Sequence, residues 1–493
     1  NNSFVNSKTF DGFRKVIQDE FQYAYIIDLG GNIRELSGKD GIFLNEKHTI
    51  FGQAAAVGIA IMFLIKDQPP KSKNKKTDKG KCHINYIHPT DIRATRDEKL
   101  AFLAENSIDK ISFEHIVPDK NNNWINIVEN DFETLVPLIG AKSIFESNSL
   151  GVSTNRDGWV YDFNIFDLER KIIFFIDKYN NLIDLNSNDY GDEIKWSSSL
   201  KSSFKKRKKL IFDKSKIIQS SIRPYIKMYY YSDKLMSDRL TGNHYKMFTN
   251  TLHANNKVIC INNRGSDFRV LACSNIFDLH YTGDTNSFSL YNYSVNGDKV
   301  ENISDWGLNK FNKHYKRNDI SKEEIFYYVY SVFHNKKYII KYESNLKREF
   351  PRIPLYKDFD KWSILGKELL DLHLDYDTTI EFPLKHISNN SKQDPKVKLK
   401  CDKIKGQIHL DENTTLDGIP DIAWEYKIGN RSALEWVLDQ YKEKKPNDKT
   451  LIKYFDDYKF ANHRDEVISL LKKICTVSIE TMKIMNVIKD LPN

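Results

Sequence analysis

Two apolar runs near the start of the chain constrain its fold more than any other feature. Residues 25–29 (YIIDL) have the composition of a buried strand, and Gly30-Gly31-Asn32 is the turn that ends it. Residues 58–65 (GIAIMFLI) are apolar on both faces, as in a central strand of a sheet covered by helices. In residues 9–21 apolar side chains recur at spacings of three and four, which is typical of an amphipathic helix. The pattern predicts an α/β layer that resembles the last third of such a domain.

The rest of the chain divides by composition. Residues 66–81 contain two prolines and seven lysines against two aspartates, so we expect a flexible basic loop. From residue 151 onward short aromatic strands alternate with helices, which predicts an α+β region. Turn-rich residues 389–396 separate a last, helical or mixed subregion. The individual predictions after residue 82 are strands at 83–89 and 159–163 and helices at 95–106, 168–179, 319–342, 361–374, 431–445 and 463–487.

Bulk composition excludes several classes of protein. Forty per cent hydrophobic and thirteen per cent aromatic residues in a chain of 493 exclude a disordered protein. The five cysteines lie far apart without a Cys-x-x-Cys pair, so neither a disulfide framework nor a zinc finger is indicated, and a reducing cytoplasm fits best. The longest apolar run, residues 54–65, is too short to span a bilayer. Because the chain opens at Asn1 without a methionine, we expect a fragment of a longer protein.

Positive charge is concentrated in one segment. Residues 201–246 contain thirteen Lys and Arg against three acids, whereas the whole chain has a formal net charge of +8. Phe and Tyr side chains are interleaved with these cations, and flat rings among cations suit a sugar-phosphate backbone with nearby bases. Nucleic acid is therefore the predicted partner. The alternative is that the Lys-Lys-Arg-Lys-Lys run at 205–209 is a solvated loop.

No motif for catalysis or metal binding is complete. The Gly30-Gly31 pair lacks the spacing of a phosphate-binding loop, so a plain turn is the better interpretation. Asp421, Glu425 and Lys427 are the residue types found in the active site of magnesium-dependent nucleases. In such sites the acids normally come from neighbouring strands, so a chance occurrence of these residues is the better interpretation. The thirteen histidines show no ligand spacing such as His-Glu-x-x-His. The residues alone indicate a basic α/β protein with no visible active site.

Long collinear blocks resemble one family of enzymes. Three early blocks look like the part of an adenine-specific DNA methyltransferase that follows its catalytic Asn-Pro-Pro-Tyr loop, and they are FDGFRKVIQDEF, YAYIIDLGGNIRE and GIAIMFLIK. Seven later blocks resemble, in the same order, the C-terminal half of type ISP restriction-modification enzymes. These are TDIRATRDEKL, IVPDKNNNWIN, GVSTNRDGWVYDF, ISDWGLNKF, EEIFYYVYSVFHNKKYIIKYESNLKREFPRIP, WSILGKELLDLHL and GNRSALEWVLDQY. The resemblance spans nearly the whole chain and includes unusual Trp and Pro placements.

The resemblance implies a fold and an activity for the parent enzyme. Residues 1–150 would be the C-terminal portion of a Rossmann-like methyltransferase sheet, residues 151–388 a DNA-binding target-recognition domain, and residues 389–493 its C-terminal subregion. The parent would transfer a methyl group from S-adenosylmethionine to the exocyclic amine of a flipped adenine. It would also use ATP and magnesium in a translocase and a nuclease outside this region.

The catalytic motifs of that family are missing from the sequence. The glycine loop for S-adenosylmethionine and the Asn-Pro-Pro-Tyr tetrapeptide do not occur in it and are expected upstream of Asn1. The resemblance therefore implies no catalytic residue in this chain, and we expect the fragment alone to be inactive as a methyltransferase.

The resemblance also implies how the chain would contact DNA. Most contacts of a recognition domain go to phosphates, and Arg, Asn and Gln read base edges in the major groove. The predicted phosphate contacts are Lys205, Lys206, Arg207, Lys208 and Lys209. The predicted groove contacts are Arg223, Lys227, Asn262, Asn263, Arg264 and Arg269. For each arginine the alternative is a structural ion pair.

Three hypotheses about function remain open at this point. The first is sequence-specific recognition of double-stranded DNA within a type ISP enzyme that methylates adenine. The second is a stand-alone DNA specificity subunit that serves a separate catalytic chain. The third is a nuclease that uses Asp421, Glu425 and Lys427. The predicted partners are double-stranded DNA and the nuclease-translocase-methyltransferase remainder, in the same polypeptide or in a separate chain, with no membrane partner.

Overall fold

The chain folds into two compact units, Asn1–Asn130 and Asp131–Asn493. The computed structural model describes residues 1–33, 44–52, 57–66, 82–91, 93–119, 122–125, 130–262, 267–347, 349–389, 393, 395–455 and 458–492. Within these ranges no helix is long and apolar enough to cross a membrane. The division between the units falls after residue 130, and the functional domains predicted with a boundary at residue 150 stay a prediction.

The first unit is built on a small mixed sheet. Its described elements are α1 Ser3–Asn6, α2 Asp11–Glu20, β1 Tyr23–Gly30, β2 Ile59–Ile65, β3 His83–Ile87, α3 Arg96–Glu105 and β4 Glu114–Ile116. These four strands lie in the order β2-β1-β3-β4. β1 pairs antiparallel with β2, with Tyr23 opposite Ile65, and parallel with β3, with Tyr23 opposite His83. Ile26 and Trp124 are among the buried side chains of its core.

The helices and strands predicted for this unit are confirmed, with shifted ends. The central position predicted for residues 58–65 is wrong, because β2 lies at an edge of the described sheet with Phe63 and Ile65 exposed. β1 is longer at both ends than the predicted strand. Gly30 and Gly31 have φ angles of +59° and +97°, which confirms the turn and explains why glycine is used there. Thr95 caps α3 in a reciprocal capping box with Glu98. Residues 67–81 of the predicted basic loop lie outside the described residues.

The second unit holds the remaining described helices and strands. Its helices are α4 Asp157–Val160, α5 Ile165–Asp184, α6 Ser198–Lys205, α7 Gly242–Phe248, α8 Asp305–Tyr315, α9 Lys322–Phe333, α10 Lys336–Lys341, α11 Glu343–Leu346, α12 Phe359–Leu374, α13 Asp421–Glu425, α14 Ala433–Gln440, α15 Lys449–Phe455 and α16 Arg464–Asp490. Its strands are β5 Val136–Pro137, β6 Ser149–Leu150, β7 Tyr161–Asp162, β8 Ile217–Arg223, β9 Ile226–Tyr231, β10 Val258–Asn262, β11 Arg269–Cys273, β12 Asn286–Ser289, β13 Tyr291–Tyr293, β14 Lys299–Glu301, β15 Arg352–Ile353, β16 Lys385–Ser388, β17 Val397–Asp402, β18 Gln407–Asp411, β19 Thr414–Asp417, β20 Lys427–Ile428 and β21 Arg431–Ser432.

Several small sheets organise the second unit, so the chain as a whole is a mixed α/β protein. The larger sheets have the strand orders β11-β10-β12-β6, β16-β19-β18-β17 and β7-β9-β8. The first of them separates two hydrophobic cores. In β10, Val258 and Cys260 belong to one core, while Ile259 and Ile261 belong to the other. This alternation follows from the period of two along a strand and makes β10 a wall shared by both cores.

The second core is centred on two helices in close contact. Ser321 caps α9 by accepting a hydrogen bond from Glu324 N, and the Glu324 side chain bonds back to Ser321, which confirms the predicted capping box. All residues of α9 from Ile325 to Phe333 are buried. A Cβ atom at Gly366 of α12 would collide with the carbonyl of Tyr327 in α9. Glycine at this position therefore lets the two helix backbones approach each other.

Two secondary-structure predictions for this unit are wrong. Residues 319–342 form two helices, α9 and α10, because the Asn335 side chain accepts a hydrogen bond from Lys337 N and begins a new helix. Residues 159–163 are not one strand, since α4 ends at Val160 and β7 covers only two residues. The helices predicted at 168–179, 361–374, 431–445 and 463–487 are confirmed as α5, α12, α14 and α16, with different ends.

Candidate nucleic-acid interface

A buried arginine fixes the start of the basic segment. Arg156, 1% exposed, donates hydrogen bonds from Nε to Lys195 O at 3.2 Å, from Nη1 to Met236 O at 2.5 Å and from Nη2 to Ser197 Oγ at 2.6 Å. Ser197 Oγ also accepts from Leu200 N and so caps α6. Burial lowers the pKa of the Arg156 guanidinium to about 10, so it stays charged at neutral pH. This arginine therefore sets where the lysine-bearing helix begins.

Aromatic rings hold the inner face of α6. Phe204 is 2% exposed, and its ring centroid lies 5.7 Å from that of Tyr179, 5.7 Å from Tyr190 and 5.2 Å from Trp196. The Lys201 ammonium lies 4.6 Å from the Tyr190 centroid, within the range of a cation–π contact. Of these rings only Phe204 lies in residues 201–246, where aromatic and basic residues are interleaved. Phe204 thus packs beneath the cations, while stacking of bases on the other rings of residues 201–246 stays a prediction.

The turn after α6 is anchored to the protein. Arg207 has a φ of +53°, and its Nη1 donates to Ser187 O at 2.9 Å. Its guanidinium also lies 5.4 Å from the Phe204 ring. On the other side, Tyr179 Oη donates to Lys208 O at 3.0 Å. The backbone of the run at 205–209 is therefore anchored to the protein, while its four lysine side chains are exposed to solvent.

Three lysines of this turn present free charge. Lys205, Lys206 and Lys208 are exposed and make no ion pair with any described residue. Lys209 Nζ lies 2.5 Å from Asp184 Oδ1, but both side chains are more than half exposed, so this pair is screened and weak. We call Lys205, Lys206 and Lys208 the lysine triplet. Its arrangement suits the phosphates of a polyanion, because compact ammonium charges need no fixed geometry.

Two of the predicted groove residues lie on one hairpin, and each has a protein partner. Arg223 at the end of β8 donates from Nη1 to Asp278 Oδ1 at 2.8 Å, and the two side chains are 22% and 2% exposed. Burial raises the pKa of the Asp278 carboxyl, and Arg223 opposes that rise. Lys227 in β9 lies 2.8 Å from Asp377 and 5.2 Å from the ring of Tyr376. Structural ion pairs are thus present at both positions, and the predicted DNA contacts stay predictions.

The other predicted groove residues lie on β10 and β11. Asn262 and Arg269 are directly opposite each other in this strand pair. Asn262 is 4% exposed, whereas Arg269 is half-buried and packs against Gly429, where a Cβ atom would collide with its guanidinium. Burial lowers the pKa of Arg269. Asn263 and Arg264 lie outside the described residues, so the predicted loop contacts have no structural account.

The residues of the nuclease hypothesis lie close together on the surface. Asp421 and Glu425 begin and end the short helix α13, as the spacing of four predicts, and Lys427 follows in β20. All three side chains are exposed. Among the described residues no group of three or more His, Cys, Asp or Glu side chains could hold a metal ion.

Comparison with known proteins places the chain in a family. Residues 143–470 match the family model of the type ISP C-terminal specificity domain. The chain belongs to this family. The resemblance to type ISP restriction-modification enzymes is therefore confirmed, whereas the methyltransferase resemblance of the three early blocks stays a prediction. A search of curated proteins finds no match for the chain.

Three solved structures resemble this type ISP chain over its whole length. The first is a DrdV–DNA complex, with 33% sequence identity and a TM-score of 0.82. The second is a nuclease-deletion mutant of the type ISP restriction-modification enzyme LlaGI in complex with a DNA substrate mimic, with 29% identity and a TM-score of 0.75. The third is the ATP-dependent type ISP restriction-modification enzyme LlaBIII bound to DNA, with 26% identity and a TM-score of 0.78. Each match covers 100% of this chain but only 50%, 39% and 32% of the other chain, respectively. The chain thus spans half or less of the length of these relatives.

Sequence reasoning missed two features of this type ISP chain. The block GVSTNRDGWVYDF carried the resemblance, but nothing in it revealed that Arg156 bridges to residues 195–236. The second feature is a group of lysines in and beside the β17–β18 hairpin, where residues 396–406 contain five lysines and one aspartate. Local net charge counted in a short window would have found it.

Proposed function

We propose that this type ISP specificity domain recognises a particular sequence in double-stranded DNA within a restriction-modification enzyme. One observation carries the proposal: the family match over residues 143–470 coincides with structural similarity to three proteins whose structures contain DNA or a DNA substrate mimic. The lysine triplet supports it, because a fixed cationic turn suits the phosphate contacts that position a recognition domain.

The proposal divides contacts into positioning and reading. The lysine triplet positions the duplex through its phosphates, with Arg207 and Lys209 beside it as weaker contributors because each already has a protein partner. Arg223 and Lys227 remain candidates for groove contacts, since their acidic partners would orient the side chains before DNA arrives. Asn262, Asn263, Arg264 and Arg269 complete the set of proposed groove contacts.

We further propose that the first unit is the closing part of an adenine-specific methyltransferase domain. Its parallel pair β1–β3 has antiparallel strands on both sides, β2 and β4, and antiparallel edge strands occur on many doubly wound α/β sheets. Methylation would use S-adenosylmethionine, and the glycine turn after β1 offers little space for it. A Cβ atom at Gly30 would lie 3.0 Å from the His88 ring and one at Gly31 3.0 Å from His48 O, so this glycine turn is already filled. The proposal therefore assigns the methyl donor, ATP and magnesium to the longer enzyme and derives no step from them here.

The proposed location is the cytoplasm. The five cysteines are free thiols, which agrees with a reducing compartment. The second candidate function, a stand-alone specificity subunit, differs only in whether catalysis lies on the same chain. An upstream coding sequence that continues with an Asn-Pro-Pro-Tyr motif would favour the single polypeptide, and a separate catalytic gene would favour the subunit.

The decisive experiment is selection of bound duplexes from a randomised DNA pool at about physiological salt, where nonspecific phosphate binding is weakened. We expect enrichment of one short asymmetric motif that contains adenine. Retention of DNA without any motif would overturn sequence recognition. The nuclease alternative is tested in parallel by incubating the selected duplex with magnesium, and cleavage that disappears in Asp421→Ala would favour it over recognition alone.

A further inference from the structure

The β17–β18 hairpin ends in a tip of fixed shape. Lys405 N donates to the Asp402 side chain at 3.1 Å, and Gly406 N donates to Lys403 O at 3.4 Å. Gly406 has a φ of +63°, and its carbonyl accepts a hydrogen bond from Ile419 N at 2.9 Å. These bonds hold the tip against the rest of the sheet. The side chains at the tip are therefore held in a fixed position relative to the sheet.

The tip presents an isoleucine with no packing partner. Ile404 is 99% exposed, although an isoleucine side chain gains about 1.5–3 kcal/mol when it is fully buried. Lysines flank it on both sides. Lys403 is 43% exposed and lies 2.8 Å from Glu435 Oε1, and Lys405 is 70% exposed and 4.0 Å from Asp402. The hairpin therefore ends in an exposed aliphatic group between two cations.

The body of the hairpin is rigid and carries further positive charge. Leu399, Ile408 and Leu410 are buried in the first core of the second unit, which fixes both strands. Lys398 and Lys400 lie on either side of Leu399 and are exposed. The hairpin is therefore anchored in the core by its buried side chains, with lysines along its strands and an aliphatic side chain at its tip.

We propose that Ile404 inserts between two stacked base pairs of the bound duplex and that the hairpin lysines contact the flanking phosphates. Proteins that kink DNA use this combination, an aliphatic wedge among cations, to unstack one base step. The surrounding charge matches a polyanion and disfavours a second copy of the same basic hairpin. The inference rests on the proposed DNA recognition and adds a contact outside residues 201–269. It predicts selectivity for a flexible pyrimidine–purine step at the wedge, because such steps unstack at lower cost.

A second exposed hairpin residue provides a matched control. Val295 is 90% exposed in the turn between β13 and β14, where residues 294–298 contain Asp298 and no lysine. Val295 is nearly as exposed as Ile404 but has one lysine nearby, Lys299, where Ile404 has a lysine on each side and five lysines within residues 396–406. Truncating either side chain should leave folding unchanged, because neither packs against the protein. The comparison therefore separates insertion into DNA from any general effect of removing an exposed aliphatic group.

The test measures unstacking and affinity together. Duplexes carrying the motif from the pool selection would contain 2-aminopurine at successive positions, and binding would be followed by its fluorescence and by anisotropy. We expect the wild-type chain to increase the fluorescence at one step. Ile404→Ala should lose that increase and bind about tenfold more weakly, as expected when about 1.4 kcal/mol of the burial gain is lost. Ile404→Leu should retain both properties, and Val295→Ala should behave as wild type.

The outcomes separate the two proposals. A wild-type chain that selects a motif, together with an Ile404→Ala variant of unchanged affinity and fluorescence, overturns the wedge and leaves DNA recognition intact. A wild-type chain that selects no motif overturns both. Equal losses in Ile404→Ala and Val295→Ala would also refute the wedge, since the acidic turn has no reason to enter DNA.

Discussion

Replacing the lysine triplet by alanine should change how DNA binding depends on salt. Lys205, Lys206 and Lys208 are exposed and make no ion pair with the described part of the protein, so each is available for one phosphate. Each phosphate contact contributes about −0.9 to the slope of log K against log salt, because it releases a condensed counterion. Three lost contacts should therefore make the slope shallower by about 2.7.

This change in slope converts into a measurable ratio. Between 50 and 200 mM salt, a slope difference of about 2.7 corresponds to a wild-type affinity that falls about fortyfold more than that of the triple variant. Fluorescence anisotropy with a motif duplex and a scrambled duplex would measure both slopes. The two duplexes should respond alike, since phosphate contacts carry no sequence information.

A matched triple variant controls for the loss of net charge. Lys310 and Lys313 on α8 and Lys316 at its C-terminus are exposed, like the triplet at the end of α6. Their replacement removes the same charge and should leave the slope within about 1 of wild type. An unchanged slope in the triplet variant, or an equal change in the α8 variant, would refute the assignment of the phosphate contacts to the turn after α6.

Three further predictions concern stability. Arg156→Ala should lower the free energy of unfolding by at least about 3 kcal/mol, because it leaves buried hydrogen-bond acceptors unpaired. Denaturant titration would measure this loss, and an unchanged unfolding midpoint would contradict the prediction. Arg223→Ala leaves the Asp278 carboxyl buried without its cation and should cost about 3–5 kcal/mol, most of which Asp278→Asn should recover in the double variant. Burial lowers the pKa of His334 to about 4, so the unfolded chain takes up a proton at a higher pH than the folded chain does. Stability should therefore decrease as pH falls from about 6.5 to about 4, by up to about 3 kcal/mol, and thermal unfolding of His334→Gln should show a shallower dependence.

Local sequence signals predicted the elements that are determined locally. The apolar run at 25–29 and the following glycines gave β1 and its turn, and the Ser321–Glu324 pair gave the start of α9. Such signals depend on side chains within one or two turns of each other. The family was equally accessible, because its blocks are long and collinear.

Features that depend on distant residues could not be predicted in the same way. The break at Asn335 arises within a segment whose helical periodicity continues, and Asn335 itself is buried by the surrounding fold. The hydrogen-bond acceptors of Arg156 lie 39 to 80 residues away along the chain, and the acidic partner of Arg223 lies 55 residues away. The family resemblance and the positive charge therefore marked Arg223 as a groove contact without revealing Asp278. The same limit applied to Ile404, whose exposure depends on how the sheet packs.

Strands β10 and β11 contribute side chains to both hydrophobic cores of the second unit, and this limits how small a part of the protein can be moved into another enzyme. Val258, Cys260 and Leu271 close one core, and Ile259 and Ala272 close the other, so a cut on either side of the sheet would leave a strand with one bare apolar face. A chimaera that borrows the target preference of this chain should therefore receive all of residues 131–493. Individual contacts, by contrast, can be exchanged as single side chains on hairpins and turns, which makes point substitution the practical route to a new target.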